Sequence, residues 1–247
     1  MTRIYLGRYV YGWAAVAFGV ITLVWRDFGT WQQNLPHGAV FVYLAAALEV
    51  FGGLAIQCPR TARTGAIVLG LLYLALALSW APRIAKEPLV YDRWGNFFEQ
   101  FSLIAEALIV FATAGRNESE RAPRAARIGY FLFGICVVSF TLEQLFYLSG
   151  TASFVPKWIP PGQMFWTITT TIAFALAALA LLSGRWALLA ARLLTAMLIG
   201  FGLLVWLPAL FADPHTLIHW AGNAQNLAIT GAAWIVADFL GQNRPQR

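Results

Sequence analysis

Charge is scarce in this chain. Lys, Arg, Asp and Glu together make up 11% of its 247 residues, while 60% are hydrophobic, and its mean hydropathy is +0.65. So few charges cannot clothe a water-facing surface, which excludes an ordinary soluble domain and places the chain in a bilayer. Cysteine is scarcer still: Cys58 and Cys136 are too few and too far apart for a disulfide framework, and no paired-cysteine redox or zinc motif is present. There is no glycine-rich phosphate loop, nucleophile elbow, membrane-metalloprotease signature or nucleic-acid motif. The formal charge of +6 sits in short clusters between apolar runs, where it sets membrane orientation. Nucleic acid is therefore not an expected partner.

What the chain has in plenty is apolar segments. Eight can be drawn, over 6–25, 39–57, 62–80, 96–114, 127–149, 164–183, 186–207 and 222–240, each near the roughly 20 residues that a bilayer crossing needs. The first carries no small-residue cleavage site, so Tyr9 to Val24 reads as a retained helix. Of the 17 Lys and Arg residues, twelve fall on the side of the termini and five on the other. The positive-inside rule then puts both termini in the cytoplasm of a bacterial inner membrane.

The segments also repeat. Leu78, Trp80, Pro82, Pro88, Trp94, Ala107, Ile109 and Val110 recur at an offset of 126 as Leu204, Trp206, Pro208, Pro214, Trp220, Ala233, Ile235 and Val236, and Tyr11-Gly12 is answered by Phe133-Gly134. The fold class predicted is an all-α polytopic membrane protein with eight transmembrane helices as two parallel four-helix repeats. Residues 1–115 form the first repeat, 116–126 a cytoplasmic linker and 127–247 the second. Four crossings per repeat start and finish each repeat on one side, so the repeats are related by an axis along the membrane normal. The outer stretch Gly150 to Gly162, rich in proline and aromatic residues, reads as a fixed cap or shallow re-entrant turn.

The block Phe154-Val-Pro-Lys-Trp-Ile-Pro-Pro-Gly162, with Phe165-Trp166 and a small-residue helix ending Leu181-Leu182-Ser183-Gly184-Arg185, resembles DoxX-like integral membrane proteins. It is echoed by Leu48-Glu49-Val50-Phe51-Gly52-Gly53-Leu54-Ala55 in the first half. Members of that family usually consist of one four-helix unit, so the chain resembles two units fused. The resemblance implies a helical membrane module near quinone or thiol chemistry, of the kind that serves as a subunit of redox assemblies; it implies no particular reaction.

Acids inside apolar segments are the sharpest functional signal, since an ionised carboxylate in hydrocarbon is costly unless protonated, paired or turned to a polar interior. Glu49, Glu99, Glu106 and Glu143 fall within crossings; Asp238 lies near a membrane surface. Glu49 and Glu143, the latter beside Gln144, would face an internal pocket as a proton relay or as hydrogen-bond partners of a head group. The bland reading gives each one interhelical packing bond. Glu99 and Glu106 are seven apart and share a helix face. At the offset of 126 they become Gln225 and Ala232, with Asn226 following, so the halves differ where the acids occur. Glu49, Glu99, Glu106, Glu143, Gln144, Gln225 and Asn226 are the ligand-binding candidates.

All three histidines, His37, His215 and His219, fall in outer loops. His215, His219 and Asp213 supply two imidazoles and a carboxylate, donors that suit a transition metal, although their spacing matches no specific metal motif and contact with solvent or head groups explains them as well. The eleven tryptophans and eighteen phenylalanines are explained by lipid contact, interfacial anchoring and packing. The functional expectation is a membrane subunit that binds a quinone-like or lipid-like molecule and supports a redox partner, without itself needing to be an enzyme. The alternative is a non-enzymatic scaffold or assembly protein, or a homo-oligomer; a small-solute transporter fits the parallel repeats less well. Membrane lipids are partners in every case.

Overall fold

The structure is a computed structural model that describes residues 6–27, 39–115 and 123–242. His37 and residues 116–122 of the linker lie outside the described residues. Among those described there is helix and no strand. Eleven α-helices follow in order: α1 Leu6–Trp25, α2 Ala39–Gln57, α3 Ala62–Leu78, α4 Ala81–Lys86, α5 Tyr91–Thr113, α6 Arg124–Phe146, α7 Leu148–Phe154, α8 Gln163–Ser183, α9 Ala187–Phe201, α10 Leu207–Ala212 and α11 Leu217–Gln242. A π-helical turn, Gly202–Trp206, joins α9 to α10.

Among the described residues seven stretches are long and apolar enough to cross a membrane: Leu6–Trp25, Val40–Gln57, Ala62–Lys86, Tyr91–Thr113, Arg124–Phe146, Gln163–Ser183 and Ala187–Ala212. The chain is thus a multi-pass membrane protein. The eighth expected crossing, α11, has 26 residues but falls short in hydropathy. Its place in the fold supplies the reason. Hydropathy is highest, at 2.2, in Ala187–Ala212, which is 17% buried inside the protein, and lowest, at 1.2, in Tyr91–Thr113, which is 50% buried. A helix covered by other helices need not be apolar towards lipid. α11 buries Ala224, Asn226, Ala228, Thr230, Gly231, Ala232 and Ala233 among its neighbours, so it is small and mildly polar where an outer helix would be Leu and Ile.

The long helices form a closed ring in the order α1, α2, α3, α5, α6, α8, α9, α11 and back to α1, with α5 and α11 meeting across the middle. Each run of four, α1–α2–α3–α5 and α6–α8–α9–α11, is one unit. Besides the α5–α11 contact across the middle, the units meet at two equivalent places: the first helix of each packs on the last helix of the other. Gly7 and Gly129, at corresponding places in α1 and α6, make both contacts close. A Cβ at Gly7 would lie 2.5 Å from the Ile235 nitrogen on α11, and one at Gly129 would lie 2.5 Å from the Ala105 oxygen and 2.8 Å from Ile109 on α5. Ile109 and Ile235 are themselves a repeat pair. Within the units the correspondence continues, since Gly12 abuts Ile56 and Gln57 on α2 while Gly134 abuts Leu182 and Leu181 on α8.

One end of the bundle carries the short turns 58–61 and 184–186, here the turn face; the other carries 87–90, 155–162 and 213–216, here the loop face. Gly184 closes α8 at φ 71, a left-handed conformation that favours glycine. The repeated Pro and Trp have a common geometry at the loop face. The indole N–H of Trp94 donates to the Pro88 carbonyl (3.1 Å), and that of Trp220 to the Pro214 carbonyl (2.9 Å). Trp166 does the same with Pro160 (2.9 Å). Each pair fastens the loop to the first turn of the helix that follows it. The stretch expected as a cap does form a compact piece: α7 packs on α8, and the Gln163 side-chain amide donates to the Val155 carbonyl.

Candidate functional site

Pro208 decides the shape of the second unit. It has no N–H to give to the preceding turn and its ring crowds the carbonyl there, so the helix widens into the π turn, in which the Leu207 N–H reaches back to Gly202. Asn223 and Asn226 on α11 supply donors to this irregular region. The Asn223 amide donates to the Trp206 carbonyl (2.7 Å) and to the His219 carbonyl (2.9 Å), and the Asn226 amide to the Leu198 carbonyl (3.0 Å). The Thr230 hydroxyl in turn donates to the Asn226 carbonyl (2.6 Å).

Beside the π turn lies a cavity of about 610 Å³. Its walls are Trp13, Val16, Ala17, Val20 and Ile21 of α1, Ile199 to Leu210 of the α9–α10 segment, and the α11 face carrying Trp220, Asn223, Asn226, Leu227 and Thr230. It therefore lies between the two units, on the side where α1 packs against α11. The lining is apolar apart from two amides, a threonine hydroxyl and the indole edges, and Gly202 keeps the wall low: a Cβ there would stand 2.9 Å from the Asn226 amide nitrogen. An apolar cleft of this size with few polar groups is the usual form of a small-molecule site. A π turn is also a frequent companion of such sites.

Of the seven ligand-binding candidates read from sequence, Asn226 alone lines this cavity. Glu49 belongs to α2 and Glu143 to α6, in different units, and neither lines this cavity. Glu49 of α2 is fully buried within the first unit, and so is Glu106 of α5; neither carboxyl accepts a hydrogen bond. Tyr11 of α1 and Tyr73 of α3 are buried with them, their rings edge to face at 6.4 Å, and the Tyr11 hydroxyl donates to the Leu103 carbonyl (2.8 Å). Glu143 instead lies between α6 and α5, its carboxylate over Gly95, with Glu99 within electrostatic reach. Gln144 faces the other way and accepts the Thr171 hydroxyl of α8 (2.8 Å). Both amide atoms of Gln225 are buried without a partner.

Asp213 and His215 lie in the loop before α11, and His219 lies in its first turn. Asp213 accepts the Thr216 hydroxyl and the His215 backbone N–H, which hold its carboxyl below the usual carboxylate range. Those bonds use the carboxylate to form the turn into α11. Among the described residues no group of three His, Cys, Asp or Glu is placed to hold a metal ion. Both cysteines are free, Cys58 exposed and Cys136 buried.

Sequence reasoning passed over Trp13, Ala17, Gly202 and Asn223. The one signal for them was Pro208 closing a long apolar run, which foretells an interrupted helix, together with two asparagines three residues apart on the next helix. The chain matches no family model, no curated protein and no solved structure.

Proposed function

We propose that this chain is a bacterial inner-membrane protein of two fused DoxX-like four-helix units, and that it binds a quinone-like or lipid-like molecule in support of a redox partner. The observation that carries the binding is the cavity of about 610 Å³ between α1, the α9–α10 segment and α11. A polyisoprenoid or acyl tail fits walls of Val, Ile, Leu and Trp. A ring or head group would meet the asparagines at the π turn.

Eight crossings with both termini in the cytoplasm are part of the same proposal. At 26 residues, α11 exceeds the roughly 20 needed to span, and Arg60, Arg63, Arg124, Arg127 and Arg185 lie at the turn face, where α1 begins and α11 ends.

Mass spectrometry of small molecules extracted from gently solubilised protein tests the binding, with Ala17→Phe as the comparison because that ring would occupy the cavity. A stoichiometric quinone or a single lipid class in the unaltered protein, absent from well-folded Ala17→Phe, is the expected result. Glu49→Gln and Glu143→Gln should keep the ligand, since neither residue reaches the cavity. Bulk phospholipid alone in every sample overturns the reading, and a membrane protein that copurifies in that case favours the assembly role.

A further inference from the structure

The first unit holds a polar stripe that the second lacks. On α5, Asp92, Gly95, Glu99, Ser102 and Glu106 are spaced by three, four or seven residues and so lie along one face. From Asp92 to Glu106 the stripe descends about 21 Å at the rise of an α-helix, from the loop face into the buried interior. Asp92 is half-exposed at the loop face, with 46% of its side chain accessible and its carboxylate paired with the Arg93 guanidinium (2.9 Å). Glu143 enters from α6 at the place where Gly95 leaves room, between Asp92 and Glu99 along the α5 stripe. Ser102 is fully buried, and its hydroxyl donates to the Glu99 carbonyl (2.6 Å). Glu106 follows one turn further on, also fully buried and accepting no hydrogen bond.

The polar line does not stop at α5. Tyr11 of α1 reaches α5 through its hydroxyl, which donates to the Leu103 carbonyl three residues before Glu106. Tyr11 meets Tyr73 of α3, whose hydroxyl is unpartnered, and Glu49 of α2 is fully buried in the same unit. All four helices of the unit thus contribute an oxygen. In the second unit the same positions are apolar or uncharged. The α11 stripe reads Ile218, Ala221, Gln225, Ala228 and Ala232; Phe133 stands for Tyr11; and Phe174, placed on α8 as Glu49 is on α2, stands for the buried acid.

An oxygen-rich line through one copy of a duplicated bundle is costly to keep, since buried unpaired polar groups destabilise a fold. Packing does not demand it, because the other copy packs with Phe and Ala. We infer that the first four-helix unit, joined by Glu143 of the adjoining α6, is a proton-access path, taking protons from the loop face at Asp92 through Glu99 and Glu143 to the buried carboxyls Glu106 and Glu49. Each step passes one proton between neighbouring carboxyls through water that bridges them, breaking one O–H bond as another forms; no electron moves. The inference does not depend on what occupies the cavity beside α11.

Infrared spectroscopy of the protein in lipid nanodiscs tests it, through the C=O stretch of protonated carboxyl groups and its downshift when water is exchanged for D2O. In the unaltered protein a buried-acid band should downshift promptly without unfolding. Glu106→Gln with Glu49→Gln should remove intensity from that band. Glu99→Gln should keep the band and slow its downshift at least about tenfold, the effect of one broken step on a rate, and Ser102→Ala, a smaller change that keeps the fold, should slow it in the same direction. The control Gln225→Glu in the second unit should leave the rate as it is. A band that survives loss of both buried acids, or that shifts at the unaltered rate in Glu99→Gln and Ser102→Ala, overturns the inference.

Discussion

Glu143 lays its carboxylate over the bare α-carbon of Gly95, where an added Cβ would lie 2.1 Å from Oε2. The obstruction is the far end of a flexible side chain, so Gly95→Ala should displace the carboxylate and leave the helices where they are. Replacing a mid-helix glycine by alanine gains about 1 kcal/mol of helix propensity, which offsets the displacement. Thermal unfolding of Gly95→Ala should therefore stay within about 1 kcal/mol of the unaltered protein. A large loss would mean that the carboxylate is fixed in place.

Gly7→Ala and Gly129→Ala face backbone instead. Their added carbons would stand 2.5 Å from a main-chain atom of the partner helix, and neither helix can yield without moving the interface between units. Overpacking of this kind costs about 1–3 kcal/mol, and the two variants should lose similar amounts because they occupy equivalent contacts. Equal unfolding midpoints for Gly129→Ala and the unaltered protein would show that α5 and α6 do not approach so closely.

Tyr11→Phe removes a buried hydroxyl that bonds the Leu103 carbonyl and leaves the ring. The carbonyl remains in its own helix, so the loss should be that of one net hydrogen bond, about 1 kcal/mol. The second unit already has Phe133 at the matching position. Denaturant or thermal unfolding measures the difference; a variant as stable as the parent would show that the bond adds nothing net.

The turn into α11 should respond to acid. The Thr216 hydroxyl, then the His215 backbone N–H and the charges of His219 and His215, hold the Asp213 carboxyl below its ordinary value. A depressed folded-state pKa means that the contribution is complete above the unfolded value, about 3.9 for Asp, and is lost as pH falls through the folded one. Amide exchange at residues 213–217 should quicken in that acid range, and Asp213→Asn should flatten the response. Acid-independent exchange in the unaltered protein would rule out the carboxylate as the holder of the turn.

Cys58 offers a test of orientation. It is exposed at the turn face while Cys136 is buried, and the Arg60 backbone N–H, with help from Thr61, holds its thiol below the usual range. A membrane-impermeant maleimide should modify Cys58 and spare Cys136. With cytoplasmic termini, labelling should require access to the cytoplasmic side. Rapid labelling from the outer side of intact cells would reverse the proposed topology.

The ends of the first three expected segments agree with α1, α2 and α3, because each is flanked by charge, proline or a tight turn. The expected 164–183 agrees with α8 as well, but three loop-face ends were misplaced. α5 begins at Tyr91, five residues before the expected start, since polar Asp92, Arg93 and Asn96 look like loop although Trp94 and Pro88 fasten them into the first helical turn. The segment expected to finish at 207 continues to Ala212, because a π turn carries the helix past Pro208. α11 was expected to begin at 222 and begins at Leu217, for the reason that applies to α5. The buried acids were legible as an anomaly of composition, but their division between the interior of the first unit and the α5–α6 contact was not.

Periodicity and hydropathy along one dimension determined that this protein is helical and a multi-pass membrane protein, and residue identity at a fixed offset marked the recurring positions and the acids that do not recur. Those properties belong to local hydropathy and to residue identity at a fixed offset. Which face of each helix turns inward, and which helix meets which, depends on close packing between segments far apart in sequence. Only the tertiary structure put the first helix of each unit against the last helix of the other at Gly7 and Gly129. The same packing left a cavity beside Asn226 and gathered Tyr11, Glu49, Tyr73 and Glu106 from four helices into one interior.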